Sequence, residues 1–244
     1  MRLTTPALIA LGALLGIVIV WSSDQIVPAG SAYQAQMRIW LYARAAGTTA
    51  YLILTFIVAV GLVLSHPVNK STWKLSKRIF PWHENLFVFA IAFTVMHIVT
   101  IVLDPYAGVG VGGVFVPGLS SFRSLPVALG TLALYGLLVS GLTARYTKLL
   151  PPGVWLKLHR LSIVVWGLAW GHGILAGTDS GDIGVLYVAT GLLILAAAAY
   201  RYWVGKQGRP TFASSLPGAE HPRPARHVAE PAAATSGSAE GVRS

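Results

Sequence analysis

Apolar runs recur six times along this chain, approximately at residues 7–21, 47–65, 85–103, 126–144, 156–176 and 183–203. A helix needs roughly 20 such residues to cross the hydrocarbon core of a bilayer, and inside that core only closed hydrogen-bonding structures survive. The runs therefore predict an all-α integral membrane protein, a bundle of six transmembrane helices. Composition agrees: 55% of residues are hydrophobic and 11% charged, where a soluble domain carries about a quarter charged residues. The chain contains no cysteine, which excludes disulfides, thiolate catalysis and cysteine-held zinc or iron–sulfur centres. Past Gly208 the text turns to Pro, Ala, Gly, Ser and scattered charge; such a stretch cannot bury enough apolar surface to fold alone. Residues 207–244 are thus predicted to be a disordered tail, and residues 1–40 a first membrane helix with its following loop. That first run also fits a secretory signal, with Arg2 ahead of a short apolar core and small residues near Gly30, Ser31 and Ala32. A retained helix is the expectation.

The net charge of +10 does not point to nucleic acid, because the basic residues cluster at the ends of apolar runs. Lys70, Lys74, Lys77 and Arg78 lie between the second and third runs. Arg145, Lys148, Lys157 and Arg160 lie around the junction of the fourth and fifth, and Arg201, Lys206 and Arg209 close the sixth. The opposite side holds Arg38, Arg44 and Arg123 with Asp24, Asp104, Asp179 and Asp182. The positive-inside rule then predicts a multi-pass protein of the cell membrane with both termini in the cytoplasm. It also makes the third and fifth runs parallel.

Those two runs carry four histidines. His83 and His97 stand fourteen residues apart in HENLFVFAIAFTVMH, and His159 and His172 thirteen apart in LKLHRLSIVVWGLAWGHGILAG. On parallel helices His83 is level with His159, and His97 with His172, at two depths about 20 Å apart. Ionisable groups within a bilayer are rare and generally functional. A lone histidine near a helix end is ordinarily a hydrogen-bonding residue; four in two matched pairs call for another account. Two facing neutral imidazoles are the axial ligands of a b-type haem, so two haems are expected between the third and fifth helices. Zinc would require further ligands at the same depth, and a proton relay would not require matched pairs. Fourteen residues return an ideal helix to the same face, whereas thirteen leave His159 and His172 about 140° apart. The fifth helix must then bend or over-wind, with Gly167, Gly171 and Gly173 as the expected places.

This pattern resembles the ferric reductase-like transmembrane domain family. The family includes the membrane parts of NADPH oxidases and ferric reductases and the haem-binding membrane subunit of the bacterial methionine sulfoxide reductase system. RAAGTTAYLILTF, HIVTIVLDPYAGVGVGGVFVPG and WLKLHRLSIVVWGLAWGHGILAGTDS carry the likeness, which covers roughly residues 41–206. It implies that His83 and His159 hold a cytoplasmic-side haem, and His97 and His172 an outer one. Single electrons would pass from a cytoplasmic flavin through both haems to a periplasmic or extracellular acceptor. Oxidases and eukaryotic reductases of this kind continue into a flavin- and nicotinamide-binding region. Here there is no Gly-rich fingerprint and no predicted βαβ unit, so the flavin donor is expected in a separate reductase.

Arg44 and Arg160 are candidates to pair with haem propionates, against the ordinary reading of snorkelling side chains. Trp166, seven residues after His159, is a candidate to sit between the haems, against ordinary packing. Trp82 reads as an interfacial anchor, His66 as a helix-end hydrogen-bonder, and His221 and His227 as solvated. The Gly-rich stretch at 104–125 is long for a connection; it reads either as a cover for the outer haem or as a re-entrant packing segment. Two alternatives stay open: a quinol-linked cytochrome fed from the membrane pool, and a non-redox six-helix transporter or assembly factor with structural histidines.

Overall fold

The structure, a computed structural model, describes residues 5–66, 74–151, 153–178 and 181–206. Lys70, Arg209, His221, His227 and the stretch 207–244 lie outside the described residues. Among the described residues the elements are helices joined by turns, in the order α1 (Thr5–Ile26), α2 (Ala32–Ser65), α3 (Lys74–Leu103), α4 (Gly110–Phe115), α5 (Ser124–Arg145), a single 3-10 turn (Thr147–Leu149), α6 (Val154–Arg160), α7 (Ser162–Ala176) and α8 (Gly184–Lys206). Four of them, α2, α3, α5 and α8, are long and apolar enough to cross a membrane. Their outward faces remain apolar: on α8, Leu192, Leu193 and Leu195 are all exposed, the surface that lipid covers and water does not tolerate in quantity.

Two helices are longer than their apolar runs. α2 begins at Ala32, fifteen residues before the predicted run, because a cap starts it there. Ser31 Oγ accepts from Gln34 N at 3.2 Å, and Gln34 Oε1 accepts from Gly30 N at 2.8 Å, close to a capping box. The boundary expected at residue 40 therefore falls inside a helix. At 34 residues, α2 is about 51 Å long and carries Arg38 and Arg44 within it. Arg38 is held by Asp24 on α1 at 2.7 Å, with Tyr42 Oη donating to the same carboxylate. α3 starts at Lys74 rather than near residue 85, with Pro81 in its interior, so His83 lies well inside the helix.

The fifth predicted span is two helices. α6 ends at Arg160 and α7 starts at Ser162, with Leu161 between them. Leu161 N donates to Leu158 O at 3.0 Å and Val164 N to Leu161 O at 2.9 Å, the tighter i→i+3 pattern of a 3-10 turn. The expected break thus falls directly behind His159, not at Gly167, Gly171 or Gly173. Neither piece alone reaches spanning length.

α2 packs chiefly on α3, and α5 on α6 and α7, giving two hairpin-like layers with the histidines on their facing elements. Small residues let helices approach closely, between the layers at Gly141 and within one at Gly136. A Cβ on Gly141 of α5 would lie 2.0 Å from the Phe87 ring of α3, and one on Gly136 would lie 2.5 Å from Val165 of α7, contacts that only glycine permits. The core between the layers holds Tyr51, Leu54, Val58, Leu137, Val165, Trp166, Tyr187 and Ile194.

Candidate haem-ligand site

The four histidines meet in the two expected pairs. The His83 and His159 ring centres are 6.0 Å apart and nearly perpendicular, at 85°. Those of His97 and His172 are 6.3 Å apart at 74°. α3 and α6–α7 therefore run parallel, as the pairing requires. Two imidazoles on opposite sides of one metal have a predictable separation: a nitrogen–metal bond of about 2.0 Å plus about 1.1 Å from nitrogen to ring centre, doubled, gives about 6.2 Å. Edge-to-face ring packing covers the same range, so separation alone does not distinguish the two.

Hydrogen bonding adds what packing does not explain. His97 Nδ1 lies 2.7 Å from Ala43 O, His172 Nδ1 2.8 Å from Pro126 O, and His83 Nδ1 3.1 Å from Ile57 O. A carbonyl only accepts, so each Nδ1 carries the proton and donates it, leaving Nε2 with its lone pair. That is the tautomer of a metal-ligating histidine whose second nitrogen is fixed by the backbone.

Each of these carbonyls has a glycine one turn later: Gly47 after Ala43, Gly61 after Ile57, Gly130 after Pro126. A Cβ there would sit 2.9 Å from His97 Nδ1, 3.2 Å from His83 Cε1 and 2.7 Å from His172 Nδ1. The glycines open the helix surface so that an imidazole reaches a carbonyl already used in the helix. They were not singled out in the sequence. Their signal was present, since Gly47 and Gly61 repeat the fourteen-residue step of His83 and His97. The fourth histidine differs: His159 Nδ1 is buried without a hydrogen-bond partner, and its ring lies 6.1 Å from that of Trp155.

A cavity of about 210 Å³ lies at the His97/His172 level, lined by both rings, Gly47, Gly130, Arg44, Trp40 and others. It is more than ten times the ~10–15 Å³ that one water needs. Ala107, Val109, Val114 and Phe122 of the 104–125 connection also line it, so this stretch closes one end. The connection is fixed by Thr131 Oγ1 donating to Val114 O at 2.9 Å and Tyr135 Oη to Phe115 O. His83 and His159 are not part of this lining.

Arg44 reaches the site, whereas Arg160 is exposed and lines no part of this cavity. Trp166 lies between the two levels in sequence and is 2% exposed. Its Nε1 donates to Thr55 Oγ1 at 2.9 Å, and its ring stacks on Trp170 at 6.0 Å. His66 is stacked on Tyr200 at 5.5 Å, and its buried Nε2 has no hydrogen-bond partner. Asp104, read in the sequence only as a topology charge, is 3% exposed. Its Oδ1 accepts from Tyr106 N at 2.9 Å while Oδ2 has no partner. It borders a second cavity of about 250 Å³ that shares Trp40, Phe122 and Thr178 with the first.

Among the described residues no three His, Cys, Asp or Glu side chains gather as metal ligands. Two imidazoles alone leave a metal short of its coordination number, so a metal held here needs a chelating macrocycle for its remaining positions. At the His97/His172 level the paired rings, the glycine-lined cavity and the nearby guanidinium suit such a group. No family model, curated protein or solved structure matches this chain.

Proposed function

We propose that the chain is a b-type cytochrome carrying two bis-histidine haems in a six-span membrane domain. In this reading it passes single electrons from a separate cytoplasmic flavin reductase to an acceptor on the outer side. The observation that carries it is the pair of facing imidazole couples, three of whose four rings are held in the ligating tautomer by backbone carbonyls. The resemblance to the ferric reductase-like family supports the same reading. Haem supplies a reversible one-electron change at iron.

The chain's own residues do the rest. His83 with His159, and His97 with His172, would each hold one haem iron between two imidazoles, which would keep substrate from binding at iron. Arg44, which lines the cavity, would pair with a haem propionate at the outer level. Tyr51, Leu54, Leu137 and Trp166 exclude water between the levels. The basic residues around Lys77, Arg78 and Lys157 present a positive face to an acidic or phosphate-bearing donor, while Arg145 is paired with Glu84 at 2.6 Å. With that face cytoplasmic, outward electron transit is favoured by roughly 2.3 kcal/mol per 100 mV of membrane potential.

The test uses inside-out vesicles enclosing ferricyanide. Reduced flavin added outside should reduce the enclosed ferricyanide in vesicles with the protein and not in those without it; equal rates in both would contradict the reading. The cavity beside Asp104 favours one second reading, a quinol-linked cytochrome, because it offers a seat next to the His97/His172 level. Reduction of the haems by a short-chain quinol, with reduced flavin inactive, would select it.

A further inference from the structure

The four imidazoles are not held alike, and the difference follows a pattern. Helix α2 uses the carbonyl-and-glycine device twice, at Ala43/Gly47 and Ile57/Gly61, fourteen residues apart. Helix α5 uses it once, at Pro126/Gly130. The same fourteen-residue step along α5 leads to Ser140 and Ala144. There the glycine is replaced by alanine, and the carbonyls are engaged. Thr143 Oγ1 donates to Val139 O at 2.6 Å and to Ser140 O at 3.3 Å. At the matching level His159 Nδ1 is buried without a partner.

We propose that this asymmetry orders the two haem midpoint potentials, lower at His97/His172 and higher at His83/His159, with Ala144, standing where the other three sites have glycine, the positioning residue that keeps the α5 carbonyls from His159. The inference rests on the haem reading given above. An imidazole that donates its Nδ1–H to a carbonyl is a stronger base at Nε2. A stronger axial base stabilises ferric over ferrous iron and so lowers the midpoint. His97 and His172 both make such bonds, at 2.7 and 2.8 Å. In the other pair His83 makes a longer one, at 3.1 Å, and His159 makes none. Both differences act in one direction. Arg44 acts the other way, and pairing with a haem carboxylate neutralises its charge. The consequence is that an electron rests at the His83/His159 level when no membrane potential is applied. Moving it outward is then work done by that potential.

The test is a spectroscopic redox titration of the purified full-length protein, its His83→Ala and His97→Ala variants, and Ala144→Gly, which removes the Cβ that stands where the other three sites have glycine. The remaining haem of His83→Ala should titrate at a lower midpoint than that of His97→Ala. Ala144→Gly should lower the midpoint of the higher-potential component only, as His159 gains a carbonyl. Equal or reversed midpoints in the single-haem variants would overturn the ordering. An unshifted Ala144→Gly would overturn the role of Ala144, and the single-haem variants keep the ordering testable should Ala144→Gly not accumulate. Absence of any haem spectrum in the wild type would instead overturn the haem reading itself.

Discussion

Removing the partner of a single buried donor shows how tightly the middle of this bundle is specified. Trp166 Nε1 has Thr55 Oγ1 as its acceptor in a buried setting, and Thr55 Oγ1 in turn donates to Tyr51 O at 2.8 Å. Thr55→Val keeps the shape and leaves the indole N–H unpaired, an arrangement that costs about 1–3 kcal/mol. A lower unfolding temperature in detergent, with haem content unchanged, is the expected result. Gly130 tests the ligand cradle at the same scale. Gly130→Ala puts a Cβ 2.7 Å from His172 Nδ1, so the ring must leave the Pro126 carbonyl. Loss of one haem equivalent is expected, measured as haem per protein. Gly61→Ala, with its nearest approach at 3.2 Å to His83 Cε1, should cost less. The histidines were legible in the sequence because imidazoles in apolar runs stand out. The glycines that seat them did not, because glycine is common in membrane helices and its meaning here depends on what approaches from another helix.

The helices show where apolar pattern is a sufficient guide and where it is not. Apolar runs located α5 and α8 closely. They missed the first fifteen residues of α2 because that stretch is amphipathic and is started by the Ser31–Gln34 cap rather than by hydropathy. The spacing of thirteen between His159 and His172 required a break in the fifth span, and a break is there. Its position at Leu161 was not legible, since no glycine or proline stands there to mark it. The close approach of α3 and α5 is an expectation at this scale. Gly141→Leu would drive a branched side chain into the Phe87 ring, which lies 2.0 Å from the site of a Cβ. It should separate the layers and abolish folded protein in detergent, read by size-exclusion chromatography, whereas Gly153→Ala, where a Cβ meets nothing within 4 Å, tests only a turn with positive φ and should leave the folded yield measurable.

For the molecule as a whole, the proposed topology and the proposed cofactors can be checked separately. The absence of cysteine makes single reporters simple to place. Leu119→Cys, at a position 61% exposed, should label with an impermeant reagent from outside intact cells. Tyr146→Cys, at a position 57% exposed, should label only after the membrane is opened. The reverse pattern would invert the orientation and with it the direction of electron flow. The central claim is that two pairs of imidazoles each hold one haem. Its most direct test is the haem-to-protein ratio, with the reduced-minus-oxidised spectrum, of the purified wild type and of the His83→Ala and His172→Ala variants. A ratio near two in the wild type, falling to about one in each variant, is the expected result. A wild type without haem, in a protein that is folded and membrane-inserted, would contradict the account and return the four histidines to structural packing.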